Sequence, residues 1–337
     1  MNGGARSAVG VPSMLDLIHL SRKPIFPPGG VELYRQIALL TGMSSTDEVL
    51  VVPSGLAVTL EYFVGEHGVH GSGVEGDSLL FERAEERLRT LGLLERVHVQ
   101  PGGMDALPFR DGIFDVVVAE LGLTSHVEPE VAVAELIRVA KPGAAVVIVQ
   151  PVWRAPVNLE RRAVLSDHLG CRPLMLVEWK KILRAEGLVH LHTENWSDEE
   201  TAFRPQIAKP FPDFAELFSL GEKLGILRRA RRRWGWSGLW TAMAREREVH
   251  RVITRERILG LDLIKGVKGV PEGPPTGPSH EAVPSQRSAE EAASAVAEQA
   301  TFNEPGRASK EEQVTGLPLF GDGPADTTDD DQSDGTT

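Results

Sequence analysis

Between about Pro28 and Glu194, short β-rich runs alternate with helical patterns, and this alternation limits the fold more than any other feature. Strands separated by helices join most readily as a parallel sheet with helices on both faces. The expected strands are Glu48–Val52, Gly71–Glu75, Val97–Gln100, Phe114–Ala119, Ala144–Gln150 and Leu188–Thr193. Several are near-continuous Val/Ile runs, the composition of strands covered on both faces. The expected helices are Val31–Leu40, Val58–Glu66, Asp77–Leu91, Glu130–Val139 and Val177–Ala185. Asp77 has the chemistry of an N-cap, and Lys141-Pro142-Gly143 is expected to stop the helix ahead of the next strand. A helical pattern from Phe203 to about Arg257 and a last strand over Leu259–Val267 follow. The expected fold is therefore α/β: a doubly wound, mostly parallel, seven-stranded sheet with a helical insertion at about 200–257, before the last strand.

Charge divides the chain further. The formal net charge is −12, but residues 271–337 hold 14 acidic and 3 basic side chains and so account for −11 of it. That segment also has eight of the 23 prolines and little that is aromatic or β-branched. Such a composition cannot bury enough apolar area to offset its ordering entropy, so disorder is expected there. Two islands interrupt it, Ser288 to Ala300 with Ser288 and Glu291 at capping-box spacing, and Leu317-Pro318-Leu319-Phe320; either is a candidate docking segment. The expected organisation is an N-terminal extension (1–27), a main domain (28–270) and an acidic tail (271–337). A lone cysteine, Cys171, excludes a disulfide framework and a cysteine-rich metal centre. No His/Asp/Glu spacing marks a metal site either. No apolar run reaches the roughly 20 residues a membrane span needs, and Met1–Gly10 lacks the charged start and apolar stretch of a secretory signal. The expectation is a cytoplasmic protein, with the cytoplasmic face of a membrane open to it.

A doubly wound sheet binds its ligand at the carboxyl ends of the central strands, which directs attention to the residues there. Gly73-Val74-Glu75 ends the second strand, Asp105-Ala106-Leu107-Pro108-Phe109 follows the third, and Phe114-Asp115-Val116-Val117-Val118-Ala119-Glu120 forms the fourth, with Lys141-Pro142-Gly143 before the fifth. In this order and spacing the motifs resemble the class I S-adenosylmethionine-dependent methyltransferase superfamily, closest to its small-molecule branch, over about residues 28–200. The resemblance implies a Rossmann-like fold and S-adenosylmethionine as cofactor. It also implies that Glu75 accepts from the ribose hydroxyls, that Asp105 with Ala106 meets the adenine, and that Glu120 faces the reactive methyl or its acceptor. Each has a plainer alternative: a solvated strand-end carboxylate for Glu75, a turn-forming residue for Asp105, a rim carboxylate for Glu120.

The turn after the first strand departs from the family. Members usually present an acidic residue and then Gly-x-Gly-x-Gly, letting backbone approach the methionine part of the cofactor. Here the stretch reads Val51-Val52-Pro53-Ser54-Gly55-Leu56-Ala57, so the acidic position is Val51 and the first and third glycines are Pro53 and Ala57. Ser54 and Gly55 remain as candidate cofactor contacts. The stretch Val49 to Glu75 also resembles the thiopurine methyltransferase branch, whose turn likewise keeps one central glycine and lacks the acidic residue. Two readings follow. One is methyl transfer to a small apolar acceptor; the other is a cofactor-free accessory subunit of a larger, membrane-bound protein complex. No nucleophile or general base is evident. His126 in Thr124-Ser125-His126 and Cys171 beside Arg172 are the candidates, against a polar loop residue and an inert thiol.

Ile226 to Trp240 concentrates Arg228, Arg229, Arg231, Arg232 and Arg233 with Trp234, Trp236 and Trp240. At helical spacing Leu227, Ala230 and Trp234 form one stripe. Arginine with tryptophan suits a helix lying on an anionic membrane surface or an interface with a protein partner. The alternative is a lid helix over the active site. A nucleic-acid partner is not expected, because the rest of the body has no basic stripe.

Overall fold

The computed structural model describes residues 11–21, 24–197 and 218–270. Helices α1 (Met14–His19) and α2 (Gly30–Thr41) precede β1 (Glu48–Val52), α3 (Val58–His67), β2 (His70–Glu75), α4 (Ser78–Leu91), β3 (Val97–Pro101) and β4 (Phe114–Ala119). A 3-10 turn (Leu121–Thr124) leads to α5 (Pro129–Val139), β5 (Ala140–Trp153), α6 (Leu159–Leu169), β6 (Leu174–Met175), α7 (Leu176–Ala185) and β7 (Leu188–Asn195). The last elements are α8 (Leu220–Thr254) and β8 (Leu259–Lys268).

The sheet runs β3-β2-β1-β4-β5-β8-β7, with the two-residue β6 beside β5 as an eighth strand beyond the expected seven. All pairings are parallel except those of β8 with β5 and β7. Successive residues of β1 and β4 face opposite sides, and both sides are covered. Val49, Val51, Val116 and Val118 join Ile37, Leu60, Phe63 and Leu88 of α2, α3 and α4. Leu50, Val52, Val117 and Ala119 join Leu136 of α5 and Trp179 and Leu183 of α7. A strand in this position needs apolar residues at every place, and each one fully buried contributes roughly 1.5–3 kcal/mol over leaving it exposed.

Around Lys141-Pro142-Gly143 the observed geometry differs in detail. The helix ends at Val139, Ala140 is already extended, and β5 begins there. Pro142 has no N–H to give a ladder and Gly143 holds φ +81°, so the pairing with β4 shifts between Phe114↔Ala140 and Val116↔Ala145.

Helices α1 and α6 were not expected. Helix α1 is capped by Ser13, whose hydroxyl accepts from the Asp16 N–H while Asp16 accepts from the Ser13 N–H. Its chain exit is held by Arg83 of α4, which donates to the carbonyls of His19 (3.0 Å) and Ser21 (2.8 Å). The expected insertion is represented by α8; residues 198–217 lie outside the described residues, as do the tail 271–337 and its two islands. Gly235 interrupts α8 with φ 72° and ψ −175°, a conformation that side-chain-bearing residues rarely adopt. Beyond this break α8 is clamped to α6. Arg161 donates to Glu248 (2.6 Å) and Glu256 (2.8 Å), His168 Nε2 pairs with Glu246 Oε2 (2.9 Å), and Val249, Val252 and Ile253 pack with Trp153, Leu165 and Leu169.

Candidate active site

Strands β1 and β4 pair as far as Val52↔Ala119, so their chains leave the sheet side by side. The turn after β1 is fixed by its own backbone: the Ser54 N–H donates to Val74 O (2.9 Å) and the Ala57 N–H to Ser54 O (2.8 Å). Ala57 then caps α3 at φ 57°, ψ 29°. The third glycine position of the family motif therefore keeps a left-handed backbone although an alanine occupies it. Pro53 packs against Gly122, where a built Cβ would lie 2.7 Å from the proline ring. Gly73 is equally constrained, since a Cβ there would lie 2.7 Å from that of Ser54.

Glu75, only 6% exposed, ties this turn to the second strand. Its carboxylate accepts from the Gly55 N–H (2.8 Å) and from the Asp77 N–H (2.9 Å). Burial raises its pKa, and the backbone donors offset part of that rise. Asp77 in turn accepts from the first N–H groups of α4, at Leu79 and Leu80, as the sequence predicts.

Glu120 begins the loop after β4. Its N–H donates to Val52 O (2.7 Å), its carbonyl accepts from Gln150 (2.6 Å), and its carboxylate accepts from Thr59 Oγ1 (2.6 Å). Burial pushes its pKa up to about 7, against the hydrogen bond from Thr59 and the neighbouring Tyr34 hydroxyl, with the Glu75 charge adding to the rise. The Tyr34 hydroxyl is itself buried without completing a hydrogen bond, and its pKa is raised by burial and by Glu120.

Thr59, Glu75 and Glu120 line one open cavity of about 1470 Å³, above the roughly 300–1,000 Å³ of a single small-molecule site. Ser54, Gly55, Glu75, Asp105 and Glu120 line it, whereas Ala106 does not. Ala106 instead bridges to Gly103, and its loop is held from behind by α5. Glu135 accepts from the Leu107 N–H (2.7 Å), and Arg138 donates to the carbonyls of Leu107 (3.0 Å) and Phe109 (2.8 Å). The exposed Asp105 therefore stands on a fixed turn.

The rest of the wall comes from elements the sequence reading did not connect with the site. Ile18 of α1, Phe26, Leu159 of α6, and Val249 and Ile253 of α8 add apolar surface, alongside the charged and polar Asp16, Arg162, Asp167, Glu246 and His250 of the same helices. His126 is exposed on the wall. Cys171 also adjoins the cavity, but burial drives its thiol pKa up to about 12, so it is not a nucleophile near neutrality. Of the basic segment, Arg228, Arg231, Arg232, Arg233, Trp236 and Trp240 are exposed. Arg229 folds back over Gly225, and Trp234 packs with Ala230 and Leu17. None of the eight lines the cavity.

Two features test whether S-adenosylmethionine suits these residues. The Ser54 hydroxyl oxygen is buried without a hydrogen-bond partner, and a Cβ built on Gly55 meets nothing within 4 Å, so the turn offers a free polar atom and open backbone. With Glu75 as an acceptor beside them, the residues fit a nucleoside bearing polar substituents.

Residues 52–148 match the family model described as a methyltransferase domain. An uncharacterized protein of Haemophilus influenzae is 30% identical over 186 residues, covering 53% of this chain and 72% of that one. A probable chloroplastic tocopherol O-methyltransferase of Oryza sativa is 28% identical over 51% of this chain and 50% of its own length. The ubiquinone/menaquinone biosynthesis C-methyltransferase of Shewanella piezotolerans is 32% identical over 28% of this chain and 38% of its own. The chain thus spans half or less of these two named methyltransferases. Among solved structures, the [4+2]-cyclase SpnF superposes with a TM-score of 0.55 at 20% identity over 71% of this chain and 81% of that one. Phosphoethanolamine N-methyltransferase 2 of Haemonchus contortus, solved with S-adenosyl-L-methionine, gives 0.56 at 17% identity over 73% of this chain and 54% of that one. With its sheet order, its strand-end carboxylates and a glycine-rich turn reduced to Gly55, the chain belongs to the class I S-adenosylmethionine-dependent methyltransferase superfamily.

Proposed function

We propose that the protein binds S-adenosylmethionine in its cavity and methylates a small apolar acceptor there. The observation that carries this is one large cavity that brings the polar groups of Ser54, Gly55, Glu75 and Asp105 together with the apolar side chains of Ile18, Phe26, Leu159, Val249 and Ile253. The bound cofactor would supply an electrophilic methyl on a sulfonium. Glu75 would accept from the ribose hydroxyls, already set in place by Gly55 and Asp77, and Asp105 from the adenine amino group. Burial raises the Glu120 pKa to about 7, so its two protonation states are balanced near neutrality and a cationic ligand group beside it would favour the carboxylate. Displacement needs acceptor and sulfonium in line, and walls built on packed helices supply that positioning. The acceptor reading is also supported by the probable tocopherol O-methyltransferase, named for an apolar acceptor, and by the C-methyltransferase of ubiquinone/menaquinone biosynthesis among the relatives.

A panel of apolar phenols, quinols and amines, incubated with the protein and methyl-labelled S-adenosylmethionine, tests this. The expected result is label in the organic extract with at least one acceptor, lost in Glu75→Ala. Label that moves only to water-soluble acceptors would refute the apolar reading. The cofactor-free docking subunit predicts neither transfer nor cofactor binding; SpnF, a cyclase by its name, illustrates that this fold does not fix the reaction.

A further inference from the structure

We infer that the part of α8 around Gly235 is a docking surface for an anionic lipid bilayer. The surface starts from exposure that the fold does not explain. Trp236 is 57% exposed and Trp240 60%, and Leu220 and Leu224 on the preceding turns are still more exposed. Arg228, Arg231, Arg232 and Arg233 are exposed on the same stretch of helix, and among the described residues no carboxylate pairs with any of them. Elsewhere on the same helix the opposite holds: Glu248 is shared by Arg161 and Arg251. From 222 to 244 the sequence has one acidic side chain, Glu222, against Lys223 and the five arginines.

Gly235 shapes the surface. It breaks the helix between Arg233 and Trp236, and the Arg231 guanidinium lies over the Trp236 ring at 4.8 Å, while that of Arg233 lies over Trp234 at 4.8 Å. The Arg231–Trp236 pair sets a cation beside an exposed indole, the combination that meets a phosphate headgroup while the ring sits at headgroup depth, whereas Trp234 packs inward on Ala230 and Leu17. The inner face of the helix is already satisfied, since Ala230, Leu239 and Ala242 pack on Leu17 of α1. The outward residues are therefore spare rather than core residues left uncovered. No described helix is long and apolar enough to cross a membrane, so the contact is with a surface.

A bilayer fits better than a nucleic acid. Residues 1–221 carry 20 basic against 29 acidic side chains, so an extended polyanion would leave the positive patch onto a negative body. A lipid surface needs only the patch, and it also covers the exposed indoles and leucines. Helix α1 joins this surface to the cavity, with Leu17 under the basic segment and Met14 and Ile18 on the cavity wall. An apolar acceptor dissolved in the bilayer would thus lie near its binding chamber. The lipid contact itself does not depend on the methyltransferase reading.

The test is co-sedimentation of the full chain with phosphatidylcholine vesicles with and without phosphatidylglycerol. Binding is expected only with the anionic vesicles, with a blue shift of tryptophan emission. The triple variant Arg231→Gln/Arg232→Gln/Arg233→Gln should weaken partitioning about a hundredfold, from roughly fivefold per cation at an anionic surface. Trp236→Ala/Trp240→Ala should weaken it and remove the blue shift. All these side chains are exposed, so thermal unfolding of the variants should match wild type and exclude misfolding. No sedimentation, equal binding to neutral vesicles, an unchanged triple variant, or preference for polyuridylate over vesicles would each overturn the inference. S-adenosylmethionine titration of the same variants separates this failure from failure of the cofactor site, because none of them lines the cavity.

Discussion

Replacing Glu120 by glutamine tests whether the carboxyl at the end of β4 is buried as described. The ordinary pKa of 4.5 rises to about 7 in the folded protein, chiefly through burial. In the unfolded chain the group ionises near 4.5, so between that pH and about 7 the folded state holds one more proton. Stability therefore falls as pH rises, by about 1.4 kcal/mol per pH unit, and the loss approaches roughly 3 kcal/mol above pH 7. Below pH 4.5 both states are protonated and the penalty vanishes. Glutamine keeps an acceptor for Thr59 and has no proton to lose. Urea unfolding of wild type and Glu120→Gln at pH 5, 6, 7 and 8 isolates the effect, because the other shifted groups titrate in both proteins. The variant's stability relative to wild type should improve by roughly 2–3 kcal/mol from pH 5 to pH 8, the first part of the loss having occurred below pH 5. A difference that stays flat across this range would refute a buried, ligand-free carboxyl at Glu120.

The turn and the thiol give two further expectations. Ala57→Gly should leave stability within about 1 kcal/mol of wild type, since relief of the left-handed backbone at φ 57° is offset by the loss of a fully buried methyl worth about 0.8 kcal/mol; Ala57→Val, which is worse suited to that backbone, should destabilise clearly, and an unchanged melting temperature for it would contradict the turn geometry. Cys171 should resist iodoacetamide at pH 8 in the native protein and react in urea, as a buried thiol with a pKa of about 12 requires. Rapid native labelling would place it at an open surface.

Strands β1 and β4 coincide with their expected ranges because burial on both faces demands an uninterrupted Val/Leu run, a pattern a single sequence displays directly. Asp77 was legible for a similarly local reason, as a capping side chain reads out within three residues. Helix α6 was not: it buries only Leu165, His168 and Leu169, with charged residues at half of its other positions, so no apolar stripe announces it. Helix α1 spans six residues and is held by Arg83, 64 positions from His19, a contact that no local pattern contains. The carboxylates at the strand ends were legible because the topology dictates where a doubly wound sheet presents them. The contribution of α1, α6 and α8 to the cavity was not, since Ile18, Leu159 and Val249 reach it only through tertiary packing. Ala106 shows the limit of carrying a motif over by position: its neighbour Asp105 reaches the cavity, and it does not. Ala57 shows the converse, holding a glycine-like backbone at a position where the sequence shows only that the family's glycine is replaced.

The central claim is that the cavity between the turn after β1, Glu75 and Asp105 takes S-adenosylmethionine despite the single remaining glycine. Calorimetric titration of the purified full chain with S-adenosylmethionine and its demethylated product measures this directly. The account predicts one site per chain with sub-millimolar affinity, weakened at least tenfold by Glu75→Ala and by Asp105→Ala, in keeping with the loss of a charge-assisted hydrogen bond of about 1.5–3 kcal/mol. Absence of heat at millimolar ligand, with the wild-type chain folded, would contradict it.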